Sequence, residues 1–151
     1  MWSPMGGLLV ERLVKSNIPK DCLLITRSES HFKWAGFDNM EFNVPDSDSL
    51  VFDEKLILDR IFIVNSKWTG IKMPHVKMRH GNIEESNFYN GDFYAGKFQG
   101  TTITNTCFTN VDLNAANFTG CHFKGEVYFF DCDTTGAVFQ DTTGTAFFEY
   151  N

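Results

Sequence analysis

The chain has 151 residues, 42% of them hydrophobic and 21% charged, which fits one globular domain. Its net charge of −6 and its pI of about 5.1 disfavour nonspecific binding to nucleic acid or to anionic membranes. We therefore expect no direct binding to nucleic acid. We also expect no membrane span, because no apolar run is long enough for a membrane-spanning helix.

Residues 1–27 predict a capping segment for the repetitive sequence that follows. Residues 7–17 have the pattern of a short amphipathic helix, which Pro19 ends. The first unit of a repeat array exposes strand edges and an open core, and a helix here would cover them. Packing of residues 1–27 on a preceding domain is the alternative. Glu11 and Arg12 interrupt the apolar stretch, which argues against a signal peptide. We expect a cytoplasmic protein, with a secreted effector as the alternative.

Residues 28–60 predict irregular first units of a repeat, with a protruding loop. Large apolar residues first recur at a spacing of five at Phe32, Phe37 and Phe42. Residues 44–49 (VPDSDS) predict the loop, because they are rich in residues that favour turns. Phe52 and Ile57 then resume the same phase, and the six-residue step from Ile57 to Ile63 indicates a slip of one residue.

Residues 61–123 carry the most regular pattern in the chain, a large apolar residue at every fifth position. These positions are Ile63, Trp68, Met73, Met78, Ile83, Phe88, Phe93, Phe98, Ile103, Phe108, Leu113, Phe118 and Phe123. The residue two places before each of them is uncharged. A helix repeats every 3.6 residues and a strand every 2, so neither alone explains a period of five. The pattern predicts a short extended segment, with its first and third side chains inside, followed by a tight corner.

The last place of this five-residue unit has the residue types that a corner requires. It holds Asn90, Gly100, Asn105, Asn110, Gly120 and Gly125. Glycine and asparagine tolerate a positive φ better than other residues, so we expect a positive φ at these corners.

Three units carry a resemblance to a known family. Residues 91–93 (Gly-Asp-Phe), 111–113 (Val-Asp-Leu) and 116–118 (Ala-Asn-Phe) follow the order small, Asp or Asn, then Leu or Phe. This order resembles the pentapeptide repeat family. The resemblance implies an all-β fold, a right-handed quadrilateral parallel β-helix in which four units make one coil. We expect this β-helix over residues 28–145, regular over 61–123, with the N-terminal helical cap before it.

Four units per coil would stack residues that are twenty apart. The inner columns would then be Ile63/Ile83/Ile103/Phe123, Trp68/Phe88/Phe108, Met73/Phe93/Leu113 and Met78/Phe98/Phe118. The aromatic residues in these columns are therefore predicted to form the core rather than a ligand site. The second place of the unit should point outward, and where it holds lysine rather than Asp or Asn the corner departs from the family pattern.

The C-terminal part predicts a loosening last coil and a tail. After Phe123 the pattern slips again and resumes as Val127/Phe129, Cys132/Thr134 and Ala137/Phe139. Residues 146–151 are predicted as a tail, in which Phe147, Phe148 and Tyr150 either cover the open core or contact another chain. The acidic residues near this end disfavour pairing with a second copy. We expect a monomer or a weak homodimer.

Catalytic and metal-binding patterns receive little support. His75 and His80 are five residues apart and would lie on neighbouring faces, while His122 lies at a different place of the unit. Cysteines occur without pair spacing, at Cys22, Cys107, Cys121 and Cys132, which is typical of reduced thiols. We expect no enzyme activity, no cofactor and no metal site.

Charged and aromatic residues at outward places are the candidates for partner binding. They are Lys67, Lys72, Lys77, Arg79, Tyr89, Tyr94 and Lys97. The cations would form a basic belt around the early coils, and exposed tyrosines are common anchors in interfaces. Acidic residues flank the predicted loop at Asp46, Asp48, Asp53, Glu54 and Asp59, and others follow Lys124. An ordinary solvated surface is the plain alternative.

The sequence thus predicts a non-enzymatic protein-interaction module or scaffold, such as the recognition part of a bacterial effector or regulator. Repeat solenoids offer long surfaces rather than pockets. The alternative, taken from quinolone-resistance members of the pentapeptide repeat family, is a mimic of DNA that binds DNA gyrase. That function needs acidic residues along one whole face, and the basic belt interrupts such a face.

Overall fold

A computed structural model describes residues 36–38, 41–43, 50–51 and 57–151 of the protein. These residues form strands, turns and loops and contain no helix. The strands are β1 (Gly36–Asp38), β2 (Glu41–Asn43), β3 (Leu50–Val51), β4 (Phe62–Val64), β5 (Lys67–Thr69), β6 (Ile71–Lys72), β7 (Asn82–Glu84), β8 (Asn87–Tyr89), β9 (Thr102–Thr104), β10 (Cys107–Thr109), β11 (His122–Lys124), β12 (Tyr128–Phe130) and β13 (Phe147–Glu149). The predicted N-terminal cap and the loop at 44–49 lie outside the described residues.

The strands stack in parallel to form the four sides of a solenoid. Face I is the sheet β1-β4-β7-β9-β11, and face II is the sheet β2-β5-β8-β10-β12-β13. Face III begins with the β3-β6 pair and continues through bridges between the second residues of its units, Lys72, Asp92, Asp112 and Asp133. Face IV is joined in the same way through Ile57, Lys77, Lys97, Asn117 and Val138. The predicted quadrilateral parallel β-helix is therefore confirmed.

The core consists of the columns that the five-residue period predicts. All thirteen large residues from Ile63 to Phe123 are buried. Phe88 stacks on Phe108 with 4.9 Å between ring centroids, and Phe98 stacks on Phe118 at 4.8 Å. Burial of each such side chain contributes roughly 1.5–3 kcal/mol, so the inner columns stabilise the fold substantially.

The corners also have the predicted backbone conformation. The six Asn and Gly residues at the last place of the unit all have a positive φ, from 46° at Asn105 to 67° at Gly120. Non-glycine, non-asparagine residues such as Glu85 and Ala115 adopt the same conformation. The requirement is therefore set by the shape of the coil, and asparagine or glycine is the less strained way to meet it.

One boundary of the regular repeat was predicted wrongly. Leu58 N–H donates to Lys77 O, and Ile57 is bridged to Lys77, which places Ile57 at the second position and Leu58 at the inner third position. Leu58 is 2% exposed. Because the step from Leu58 to Ile63 is five residues, the predicted slip between Ile57 and Ile63 does not exist.

The second predicted slip is present. Phe108 pairs with Phe129 rather than with residue 128, so one extra residue is accommodated near Gly125 and Glu126. The segment 146–151, predicted as a tail, contributes strand β13 to face II, with Phe148 stacked on Phe129 at 4.9 Å. Phe148 therefore lies over the core column of this face.

Candidate functional site

The outward side chains of the solenoid come from the second and fourth places of each unit. Since each coil lies about 4.8 Å above the previous one, side chains at equivalent places form columns along each face. The inner positions are filled by apolar and small residues, so functional chemistry is confined to these outward columns.

The basic belt (Lys67, Lys72, Lys77, Arg79 and Lys97) occupies three faces. Face IV brings together Lys77, Arg79 and Lys97. Lys77 and Lys97 occupy the second place on neighbouring coils, and a parallel backbone β-bridge joins these two residues. Lys67 lies on face II, and Lys72 lies on face III. The belt is thus continuous around three sides of the early coils but forms a cluster only on face IV.

Arg79 has an acidic partner within the solenoid. Its Nε donates to Asp59 Oδ1 at 2.9 Å, its Nη2 contacts Asp59 Oδ2, and its backbone N–H donates to Asp59 Oδ1 at 3.1 Å. The hydrogen bond to Asp59 raises the pKa of Arg79 above its usual value. Asp59 and Arg79 are twenty residues apart at the fourth place, so the stacking rule could have predicted this pair.

The two predicted tyrosines lie on adjacent faces. Tyr89 on face II is half-buried, and the Lys67 Nζ lies 5.6 Å from the centroid of its ring. Tyr94 on face III is 42% exposed and meets His75 edge to face, with 5.4 Å between centroids. Each tyrosine therefore lies beside the belt, Tyr89 near Lys67 and Tyr94 on the face of Lys72.

A column of carboxylates continues face III above Lys72. Its members Asp92, Asp112 and Asp133 occupy successive second places. Each accepts a hydrogen bond from the backbone N–H two residues later, at 2.8–2.9 Å. Hydrogen bonds from the side chain of Thr135 and from its backbone N–H lower the pKa of Asp133 below its usual value. A groove of about 440 Å³ lies along this column, next to the corner formed by Asn90, Asn110 and Asp131.

Three outward aromatic residues on face II form a surface that the sequence indicated only in part. We call this surface the aromatic strip: Tyr128, Phe130 and Phe147. Tyr128 stacks on Phe130 with 5.2 Å between centroids and on Phe147 with 5.1 Å. The predicted inner pair Val127/Phe129 is confirmed and places Tyr128 and Phe130 outward, but residues 146–151 were predicted as a tail, so the stacking of Phe147 on Tyr128 was not foreseen.

Nucleophilic and metal-binding side chains are dispersed. Among the residues that the structure describes, no three His, Cys, Asp or Glu side chains form a group that could hold a metal ion. Cys121 and Cys132 are buried in the inner corners, and burial raises the pKa of each to about 11. Cys107 is half-buried at an outward position, with its Sγ 3.4 Å from Thr109 Oγ1. No helix long and apolar enough to cross a membrane occurs in the described part of the chain.

The comparisons with known proteins agree with the fold. Residues 97–125 match the family model of pentapeptide repeats, in eight copies. No curated protein matches the chain by sequence.

Three solved structures are distantly similar to the chain. A pentapeptide repeat protein, Rfr23, from the cyanobacterium Cyanothece is 13% identical with a TM-score of 0.48, and the match covers 97% of this chain and 99% of that one. HetL from the cyanobacterium Nostoc, a pentapeptide repeat protein involved in the regulation of heterocyst differentiation, is 13% identical with a TM-score of 0.47. That match covers 76% of this chain but 47% of HetL, so the chain spans about half the length of HetL. QnrB1, a plasmid-mediated fluoroquinolone resistance protein, has a TM-score of 0.19 at 12% identity.

Proposed function

We propose that this protein, a β-solenoid built from the predicted pentapeptide repeats, is a non-enzymatic protein-interaction module. The observation that carries the proposal is the division of each unit into a filled interior and regular outward columns. Parallel coils hold these columns at fixed spacings, which gives a surface suited to a folded partner rather than to a small substrate.

The basic belt is the proposed contact surface for an acidic partner. Lys77 and Lys97 stand on adjacent coils of face IV, and Lys97 is exposed. Tyr89 and Tyr94 supply aromatic area near the belt on faces II and III, and tyrosine is enriched among residues that dominate binding energy. Complementary charge would accelerate encounter with the partner and select its orientation. We further propose a cytoplasmic, bacterial protein that is monomeric before it meets this partner.

Affinity capture with matched charge reversals tests the proposal. The wild-type protein, Lys77→Glu and Lys124→Glu are each used to capture proteins from a bacterial lysate, and the captured proteins are quantified by mass spectrometry. The two variants change the net charge equally, but Lys124 lies on face I, outside the belt. We expect that at least one protein captured by the wild type is also captured by the Lys124→Glu variant but not by the Lys77→Glu variant. Equal recovery with both variants would contradict a role for the belt.

A second candidate function, mimicry of DNA on gyrase, is favoured by the carboxylate column on face III. Asp92, Asp112 and Asp133 present three charges in line. Lys72 ends the column in the early coils, so the acidic surface covers only part of the length of the solenoid. We therefore expect the protein at micromolar concentration to leave DNA supercoiling by gyrase unchanged. Inhibition of supercoiling, or protection from quinolones, would favour this second function instead.

A further inference from the structure

The aromatic strip is the largest departure from the polar character of the outward columns. Phe147 is 43% exposed, while Tyr128 and Phe130 are half-buried because the three rings shield one another. Below the strip on face II, the same columns hold Cys107 and Thr109. Contiguous aromatic area of this kind on a soluble surface commonly marks an interaction site.

The strip lies on the side of the solenoid and not on its end. Tyr128 and Phe147 are in register at the second place of their units on successive coils, and their side chains point away from the axis. Phe148, between Phe147 and Glu149, points the other way and stacks on Phe129 in the core.

The charges around the strip define the partner that fits it. Glu149 is the residue in register with Phe130, and Asp131, whose carboxylate accepts hydrogen bonds from the backbone and side chain of Asn151, follows Phe130 at the exposed corner. Glu126 precedes β12, and no lysine, arginine or histidine occurs after Lys124. A second copy would bring Glu149 and Asp131 towards their own images, and like charges across an interface are unfavourable. Nucleic acid and anionic membranes are disfavoured for the same reason.

We propose that the aromatic strip docks an extended segment of a partner protein in which apolar residues alternate with lysine or arginine. The apolar side chains would cover the rings of Tyr128, Phe130 and Phe147, and the cations would pair with Glu149 and Asp131. Alternation suits an extended segment, since side chains two residues apart lie on the same side of a strand. This proposal rests on the general function as an interaction module, but it uses a surface separate from the basic belt.

Fluorescence anisotropy with defined peptides tests the strip at physiological ionic strength. The probes are short labelled peptides of alternating leucine and lysine, of alternating serine and lysine, and of alternating leucine and glutamate. We expect saturable binding of the leucine–lysine peptide, at least about tenfold weaker binding of the serine–lysine peptide, and none of the leucine–glutamate peptide. Equal binding of both lysine peptides would overturn the proposal, since it would reflect net charge alone.

Matched variants locate the binding. Phe147→Ser should weaken binding of the leucine–lysine peptide about tenfold or more. Tyr94→Ser, which removes an exposed aromatic residue from face III, should change the affinity for this peptide by less than about twofold. Glu149→Gln should weaken binding more than Glu84→Gln on face I, which makes the same charge change without touching the strip. A strip variant without effect would overturn the proposal, as would light scattering that shows a dimer which Phe147→Ser dissociates. Failure of these tests leaves capture through the belt unaffected, so the two proposals are separable.

Discussion

At the scale of single residues, the fold depends on which side chains face the axis. The third place of the unit takes a large apolar residue, and where the first place takes a small polar residue, its side chain hydrogen-bonds to a backbone carbonyl. Ser86 Oγ donates to Glu84 O at 2.8 Å, and Thr106 Oγ1 donates to Thr104 O at 2.9 Å. Cys121 Sγ donates to Phe98 O at 2.9 Å. Small polar residues are thus tolerated inside because their hydrogen bonds are satisfied.

Truncation of a core ring should be costly. Phe98 is 1% exposed and stacks on Phe118, so Phe98→Ala should reduce the free energy of unfolding by about 3–5 kcal/mol. Tyr94→Ala, at an outward position, serves as the control and should cost much less. Chemical denaturation measures both. A loss below about 1 kcal/mol for Phe98→Ala would mean that the ring is not held in a packed column.

The buried thiols should be unreactive in the folded protein. Alkylation followed by peptide mapping should modify Cys107 before Cys121 and Cys132, because burial raises the pKa of the last two to about 11. These two thiols stay protonated in the folded state at pH values where the unfolded chain, with an ordinary pKa of 9.0, has lost the protons. The free energy of unfolding should therefore fall as the pH rises from about 9 to about 11. Modification of Cys121 as fast as Cys107 at neutral pH would contradict this burial.

At the scale of the five-residue element, faces III and IV differ from faces I and II in their corners. Their corners are turns closed by backbone hydrogen bonds, such as Gly96 N–H to Phe93 O at 2.8 Å and Cys121 N–H to Phe118 O at 3.0 Å. Where the second place holds Asp or Asn, its side chain also accepts the N–H two residues later, as Asn117 does from Thr119. Lysine at this place, as in Lys97, supplies no such acceptor.

An asparagine at position 97 should therefore stabilise the protein. Lys97→Asn would supply an acceptor for the N–H of Gln99, as Asn117 does for Thr119 one coil above, and should raise the free energy of unfolding by about 0.5–1.5 kcal/mol. Lys97→Gln removes the same charge next to Lys77 without a side chain of the right length. Denaturation curves of the two variants separate these effects. Equal stability of both would assign any gain to relief of charge repulsion rather than to the turn.

The sequence predicted the repeat unit and its inner columns better than it predicted where the regular repeat begins and ends. The period of five located the columns from Ile63 to Phe123, and the predicted pentapeptide repeat and solenoid are confirmed. Ile57 and Leu58 are both large and apolar, so the pattern could not decide which of them faces the core. The aromatic strip was not predicted as a whole for a different reason: it requires Phe147 in register with Tyr128, and residues 146–151 were predicted as a tail rather than as a strand.

At the scale of the whole molecule, the sign of the surface charge changes along the solenoid axis. The basic belt surrounds the early coils, whereas Glu126, Asp131, Asp133, Asp141 and Glu149 lie in the last ones. The belt is the proposed surface for an acidic partner, and the aromatic strip with its carboxylates is the proposed surface for a basic one. A rigid solenoid with two such surfaces could hold two proteins at a fixed separation, which is the function of a scaffold.

Site-specific photo-cross-linking tests the central claim, that the protein acts through its outward columns, most directly. A photoreactive amino acid is placed one position at a time at Lys72, Lys77 and Lys97 in the belt, with Glu84 and Thr104 on face I as controls, and each protein is irradiated in a bacterial lysate. We predict cross-links from the belt positions to the same partner protein, in higher yield than from face I. The absence of a shared cross-linked partner from the belt positions, or an equal yield from face I, in variants that remain folded, would contradict the account.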